Sequence, residues 1–161
     1  MMRTLVLVSV VVFACSACGP QGPQPLDGSL TAVLDFSYDR ATLVATSGYV
    51  TLRFLQKRGE VEDTVLRVGV ITDGAIPAHP VQYDLAEEMA MGGQRGSAGR
   101  NVLAEPENTT FPRLSRGLFR VDGDLTKAAV VKGEVSLTFV QGNVLGSGRA
   151  VFGPFEAEVV R

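Results

Sequence analysis

Apolar and polar residues alternate with a period of two along much of the chain after residue 28. This is the pattern of β-strands that bury one face. It is clear at residues 30–36, 50–54 and 66–70. The charged segment 57–63 separates the last two, so they are predicted to form a long hairpin.

Further short strands are predicted toward the C-terminus. Residues 81–85, 135–139 and 150–159 alternate in the same way, and Gln141-Gly142-Asn143 predicts a turn. Residues 85–91 are the one candidate helix, because Leu, Ala, Glu and Met all favour helices. About eight strands with turns about every 8–12 residues predict an all-β domain, a small antiparallel β-sandwich or barrel.

The first eighteen residues follow a different pattern. Arg3 precedes a mostly apolar run at residues 5–14, which ends in Val12-Phe13-Ala14-Cys15. A transmembrane helix needs about 20 apolar residues, whereas a run of about 7–15 after a basic start is typical of a secretory signal peptide. The chain is therefore predicted to be exported.

The sequence Val12-Phe13-Ala14-Cys15 resembles the lipobox of bacterial lipoproteins. The resemblance implies cleavage after Ala14, a diacylglycerol on the Cys15 sulfur and an acyl chain such as palmitate on the new amino group. Cys18 follows the small residue Ala17 and is the alternative lipidation site. Ser16 stands where an aspartate would favour inner-membrane retention, so the resemblance implies an outer-membrane anchor facing the periplasm or the exterior.

Two other interpretations of the cysteines remain. An ordinary signal peptide cleaved after Ala14 or Ala17 would leave a soluble protein. Cys15 and Cys18 also have the spacing of a redox pair, but no strand–helix unit surrounds them. A zinc site would need a second ligand pair, and His79 is the only other soft ligand.

The organisation that follows has three parts. Residues 1–14 form the signal peptide, residues 15–27 the lipidated cysteine with a Pro/Gly/Gln-rich tether, and residues 28–161 a single β-rich domain. The net charge of −2 gives no electrostatic footprint for nucleic acid. Both cysteines precede the domain, so no disulfide can form within it. The domain must therefore be stabilised by its apolar core.

Three internal segments contain residue types that occur in binding or catalytic sites. Residues 92–100 carry four glycines and two arginines, but they lack the spacing of a phosphate-binding loop and are predicted to form a flexible loop. Asp122-Gly123-Asp124 is predicted to be a turn, because the spacing of an EF-hand calcium loop fails after it. His79 lies between prolines and is predicted to be an exposed loop residue.

No catalytic, cofactor-binding or metal-binding residue is therefore predicted. We expect a non-enzymatic, membrane-anchored lipoprotein whose β domain binds an envelope protein or has a structural role. A carrier of a lipid or small apolar ligand is the alternative, with a cavity walled by phenylalanines. A small hydrolase is the third hypothesis.

Overall fold

The computed structural model describes residues 25–105, 109–140 and 148–161. Within these ranges the chain forms β-strands and no helix. The strands are β1 (Arg40–Thr46), β2 (Tyr49–Arg58), β3 (Val61–Ile71), β4 (Val81–Asp84), β5 (Gly96–Asn101), β6 (Thr109–Thr110), β7 (Leu114–Val121), β8 (Val130–Phe139) and β9 (Ala150–Val160).

All nine strands belong to one sheet, in the order β4-β7-β8-β9-β1-β2-β3-β5-β6. Neighbouring strands are antiparallel, except that β1 runs parallel to β9. The sheet is nearly closed and barrel-like, so the predicted all-β class, a small β-barrel or sandwich, is confirmed.

Residues after β4 bridge the opening between β7 and β5. Leu85 donates its backbone N–H to the Gly117 carbonyl of β7 and accepts from the Gly96 N–H of β5. The Gln94 side chain donates to the Leu114 carbonyl at 2.8 Å and accepts from the Leu114 N–H at 2.8 Å. Backbone groups that an open sheet would leave unpaired are satisfied here.

Aromatic rings fill much of the barrel interior. Phe54 lies against Tyr38 and Phe155, with ring centroids 4.9 and 6.3 Å apart, and Phe155 stacks on Phe119 at 5.9 Å. At the end of the barrel where β1 begins and β8 ends, Phe111 stacks between Phe36 and Phe139. Among the described residues, Leu26 is the first that is buried, and it lies beside Gly153.

Several predicted strands are confirmed, and one is wrong. The hairpin is β2–β3, which reverses at Gly59 and Glu60, and residues 81–85, 135–139 and 150–159 correspond to β4, β8 and β9. Residues 30–36 form turns instead of a strand. Val33 and Leu34 both donate to the Leu30 carbonyl, so this segment bonds locally and still buries Leu30 completely.

The predicted helix and the predicted flexible loop are also wrong. The backbone of Leu85 and Glu87 bonds to β7 and to Arg95–Gly96, so residues 85–91 have no helical hydrogen bonding. Residues 96–101 form β5 between β3 and β6. The predicted turn at residues 141–143 lies outside the described residues.

Candidate functional site

A seam in the barrel wall runs beside β9, where the neighbour of this strand changes. Phe152 exchanges backbone hydrogen bonds with Asp27, whereas pairing with β1 starts only at Ala157 opposite Ala41. Pro154 lies between these positions and has no N–H to donate. A short stretch of β9 is therefore paired with β8 on one side and has no neighbouring strand on the other.

An open pocket of about 500 Å³ lies at this seam and extends over the outer wall. We call it the seam pocket. Its lining residues are Tyr38, Asp39, Arg40, Ala41, Arg120, Asp122, Val130, Lys132, Gly133, Pro154, Phe155, Glu156 and Glu158.

Ion pairs between neighbouring strands neutralise the β7–β9 side of the seam pocket. Lys132 and Glu156 are directly opposite in the β8–β9 register, and their charged groups are 3.3 Å apart. Arg120 is directly opposite Glu134, at 3.4 Å, and also contacts Asp122 at 3.1 Å. Opposite charges in register stabilise a sheet, so these pairs support the wall itself.

The β1 side is neutralised in the same way. Arg40 donates two hydrogen bonds of 2.9 Å to Glu62 and lies 3.6 Å from Glu158. The Asp39 carboxylate accepts a 2.7 Å hydrogen bond from the backbone N–H of Lys57. Every charged side chain lining the seam pocket thus has a partner in the described part of the chain.

The floor of the seam pocket is aromatic. The ring of Phe155 covers Gly133, since a Cβ at that glycine would lie 2.5 Å from the ring. Tyr38 is buried beside it, and this burial raises the pKa of the Tyr38 phenol. The arrangement offers a partner a small apolar floor within a charged but neutralised rim.

The two arginines of the segment 92–100 are held by contacts within the protein. Arg95 pairs with Glu87 at 2.6 Å and Asp73 at 3.1 Å, and its guanidinium lies over the Tyr83 ring. The hydrogen bond to Glu87 and the contacts with Asp73 raise the pKa of Arg95, against the opposing effect of burial.

Arg100 is more deeply buried, with 1% of its side chain exposed. It donates two 2.7 Å hydrogen bonds to the Glu105 carboxylate and two more to the carbonyls of Asp35 and Val65. Its guanidinium also lies over the Phe36 ring. Sequence reasoning missed this burial, because arginine among glycines is typical of a surface loop.

The two carboxylates of Asp122-Gly123-Asp124 take part in the β7–β8 connection. Asp124 accepts hydrogen bonds from the backbone N–H and the hydroxyl of Thr126, and the hydroxyl bond is the main reason that the pKa of Asp124 is lowered. Asp122 pairs with Arg120. Asp122-Gly123-Asp124 lies in the loop between β7 and β8, but the turn itself is at residues 125–127 and not at the predicted position. The described residues contain no cluster of three or more potential metal ligands.

The remaining predicted residues do not meet at the seam pocket. His79 is exposed in the loop between β3 and β4 and is not among the lining residues. Cys15 and the alternative Cys18 lie outside the described residues. The lining residues themselves were not predicted, because strand alternation places Lys132 and Glu156 outward without giving the register that pairs them.

No protein-family model, no curated protein and no solved structure matches this chain. Among the described residues, no helix has the length and apolar character needed to cross a bilayer.

Proposed function

We propose that this protein is a lipid-anchored lipoprotein of the cell envelope whose barrel binds a protein partner without catalysing a reaction. The anchor would be Cys15, or alternatively Cys18, and the anchored barrel would face the periplasm or the exterior from the outer membrane. One observation carries the binding role: the seam pocket is concave and its charged side chains are already paired.

Paired charges suit recognition better than chemistry. A general acid or base works through a proton that it gives up to the substrate, so its charge must change during the reaction. The charged groups of the seam pocket are instead matched to one another across strands. They supply shape and hydrogen-bonding groups around the half-exposed Val130, as in the polar rim of an interface.

The anchor is tested by substituting the two cysteines separately. Cys15→Ser should abolish incorporation of labelled palmitate and release the protein from membranes, while Cys18→Ser should leave both unchanged. Release of the unaltered protein by high salt alone would contradict a lipid anchor, because acyl chains bind through apolar burial and not through charge.

The binding role is tested by photocrosslinking in cells. A photoreactive residue at Val130, which lines the seam pocket, should give a discrete adduct with one envelope protein. The same residue at Asn101, exposed on β5 across the barrel, is the matched control. Equal adducts from both positions, or none from Val130, would contradict a partner at the seam pocket.

The alternative role as a carrier has weaker support. That role predicts phenylalanines around an enclosed cavity, whereas the rings of Phe54, Phe119 and Phe155 pack against each other. Among the phenylalanines that the structure describes, only Phe155 lines the seam pocket.

A further inference from the structure

On the outer face of β2 and β3, two side chains of like charge lie directly opposite each other. At other positions in the sheet, directly opposite charges have opposite signs. Arg53 and Arg67 are directly opposite each other in the β2–β3 register. Both are exposed on the outer face. Directly opposite side chains have their Cβ atoms about 4.5–5.5 Å apart, so like charges at such positions are destabilising. We call these two residues the arginine pair.

Neighbouring strands could have supplied a counter-charge and do not. Thr42 is beside Arg53 on β1, and Gly99 is beside Arg67 on β5. On the β1 side the nearest diagonal charge is Arg40, which is itself basic and is occupied by Glu62 and Glu158. Within the described chain, neither member of the arginine pair has a hydrogen bond, an ion pair or a ring contact.

The contrast with the rest of the wall is informative. Where charged residues are directly opposite elsewhere, they are of opposite sign: Arg120 with Glu134, Lys132 with Glu156, and Lys57 with Glu62. A sheet that pairs charges correctly elsewhere carries a repulsive pair at one position. Departures from a local rule of this kind are expected at functional sites.

Two hydroxyl groups lie next to the arginine pair. Gly69 is on the same face of β3 as Arg67, two residues along the strand. A Cβ at Gly69 would overlap the Tyr49 hydroxyl and would lie 2.7 Å from the Ser97 Oγ. Both hydroxyls therefore meet over Gly69, about 7 Å from the row of the arginine pair.

We propose that the arginine pair, with the Tyr49 and Ser97 hydroxyls, forms a binding site for a phosphate group. Two guanidinium groups match the two negative charges of a phosphate monoester, and their planar N–H forks suit its oxygens. The bound anion would replace the missing counter-charge. The chemistry is the same for a free phosphate monoester and for the monoester headgroup of phosphatidic acid, and the assignment does not depend on the proposed lipid anchor.

The first test is an NMR titration of the full-length chain with inorganic phosphate, following the arginine side-chain Nε–Hε signals. The Arg53 and Arg67 signals should shift, and Arg53→Gln or Arg67→Gln should weaken binding about tenfold or more. The matched control is Arg116→Gln. Arg116 is an exposed arginine on β7 opposite Thr138, and it should bind no phosphate of its own.

A second readout separates a binding site from a structural role. Without phosphate, Arg53→Gln should raise the Tm by about 1–2 °C, because it removes a like-charge repulsion. In excess phosphate, the unaltered chain should gain stability and the variant should not. A lower Tm for the phosphate-free variant would show that the arginine pair supports the fold, and it would overturn the proposal.

The source of the phosphate is distinguished with vesicles. The chain with Cys15→Ser and Cys18→Ser, which cannot be acylated, is mixed with phosphatidylcholine vesicles that contain phosphatidic acid, a phosphate monoester, or with vesicles of phosphatidylcholine alone. Binding to the first only, lost in Arg53→Gln, assigns the site to a lipid headgroup. Binding of inorganic phosphate without vesicle binding assigns it to a free compound. If neither binds, or if Arg116→Gln loses as much binding as Arg53→Gln, the proposal is wrong.

Discussion

The charged side chains of this protein differ in burial: some are buried and support the fold, and others are exposed to solvent. Arg100 is almost fully buried and donates four hydrogen bonds, two to Glu105 and two to backbone carbonyls. Lys132 and Glu156 pair across strands with both side chains mostly exposed. The energetic consequences of losing one partner should differ accordingly.

Glu105→Ala should lower the free energy of unfolding by about 3 kcal/mol, because it leaves the buried Arg100 charge without its carboxylate. Urea unfolding followed by circular dichroism measures the change. Glu156→Ala removes an exposed partner and is the control, with an expected loss of less than about 1 kcal/mol. Equal losses in the two variants would mean that Arg100 does not depend on Glu105.

Tyr38 should make stability depend on alkaline pH. Burial raises the pKa of its phenol above the ordinary value of 10.0, so folding favours the neutral form. The contribution of Tyr38 to stability is complete below about pH 10, where its phenol is still neutral in the unfolded chain. This contribution is lost as the pH rises through the raised pKa of the folded state. Unfolding free energies measured between pH 8 and pH 11 should fall toward the alkaline end.

The control for this dependence is Tyr38→Phe, which removes the ionisable group. The alkaline fall should become shallower without disappearing, because the pKa of Tyr83 is also raised, mainly by burial. An unchanged slope in Tyr38→Phe would contradict the assignment to Tyr38.

At the level of elements, closure of the barrel depends on Leu85. Its Cβ is wedged between Gly96 of β5 and Gly117 of β7, and a Cβ at Gly117 would lie 2.6 Å from it. Because the clash is with an atom next to the backbone, a change of side-chain rotamer cannot relieve it. The glycines on both sides are needed for the two strands to approach the bridging segment.

Gly117→Ala should therefore destabilise the protein by about 1–3 kcal/mol, the range expected for overpacking. Thermal unfolding gives the measurement. At Gly123 a new Cβ would be 3.1 Å from a Val131 methyl group, which can move, so Gly123→Ala should cost less. A neutral Gly117→Ala would indicate that Leu85 does not hold β5 and β7 together.

The sequence predicts elements well where one face is apolar and poorly where hydrogen bonding decides. The alternation at residues 50–54 and 66–70 leads directly to β2 and β3. Residues 85–91 have helical propensity, but a helix of this length is marginal alone, and pairing with β7 and β5 overrides it. Residues 96–101 were missed as a strand, because burial of Arg100 depends on Glu105 and on carbonyls distant in sequence.

The candidate sites could not be located from the sequence, because their positions depend on the register between strands. Alternation alone places Arg53 and Arg67 outward, but only the reversal at Gly59 and Glu60, with the irregularity after Phe54, sets them opposite each other. Locating the seam pocket also requires knowledge of the parallel pairing between β1 and β9, which joins the two ends of the domain. No pattern within either strand indicates that contact.

The whole molecule combines a barrel with an N-terminal segment that enters it beside β9. Leu26 and Asp27 already pack and pair with Gly153 and Phe152, next to the seam pocket. Residues 19–25 are rich in proline and, if extended, would span about 20 Å. In the proposed lipoprotein, the tether would therefore start from the same side of the barrel as the seam pocket.

The most direct test of this account is the mass of the protein isolated from membranes, recorded under native and then denaturing conditions. We predict a chain that begins at Cys15 and carries covalent acyl groups, with no ligand of a few hundred daltons lost on denaturation. An unacylated chain would contradict the lipid anchor. An extra mass of a few hundred daltons that disappears on denaturation would contradict the binding role and favour a carrier of a small ligand.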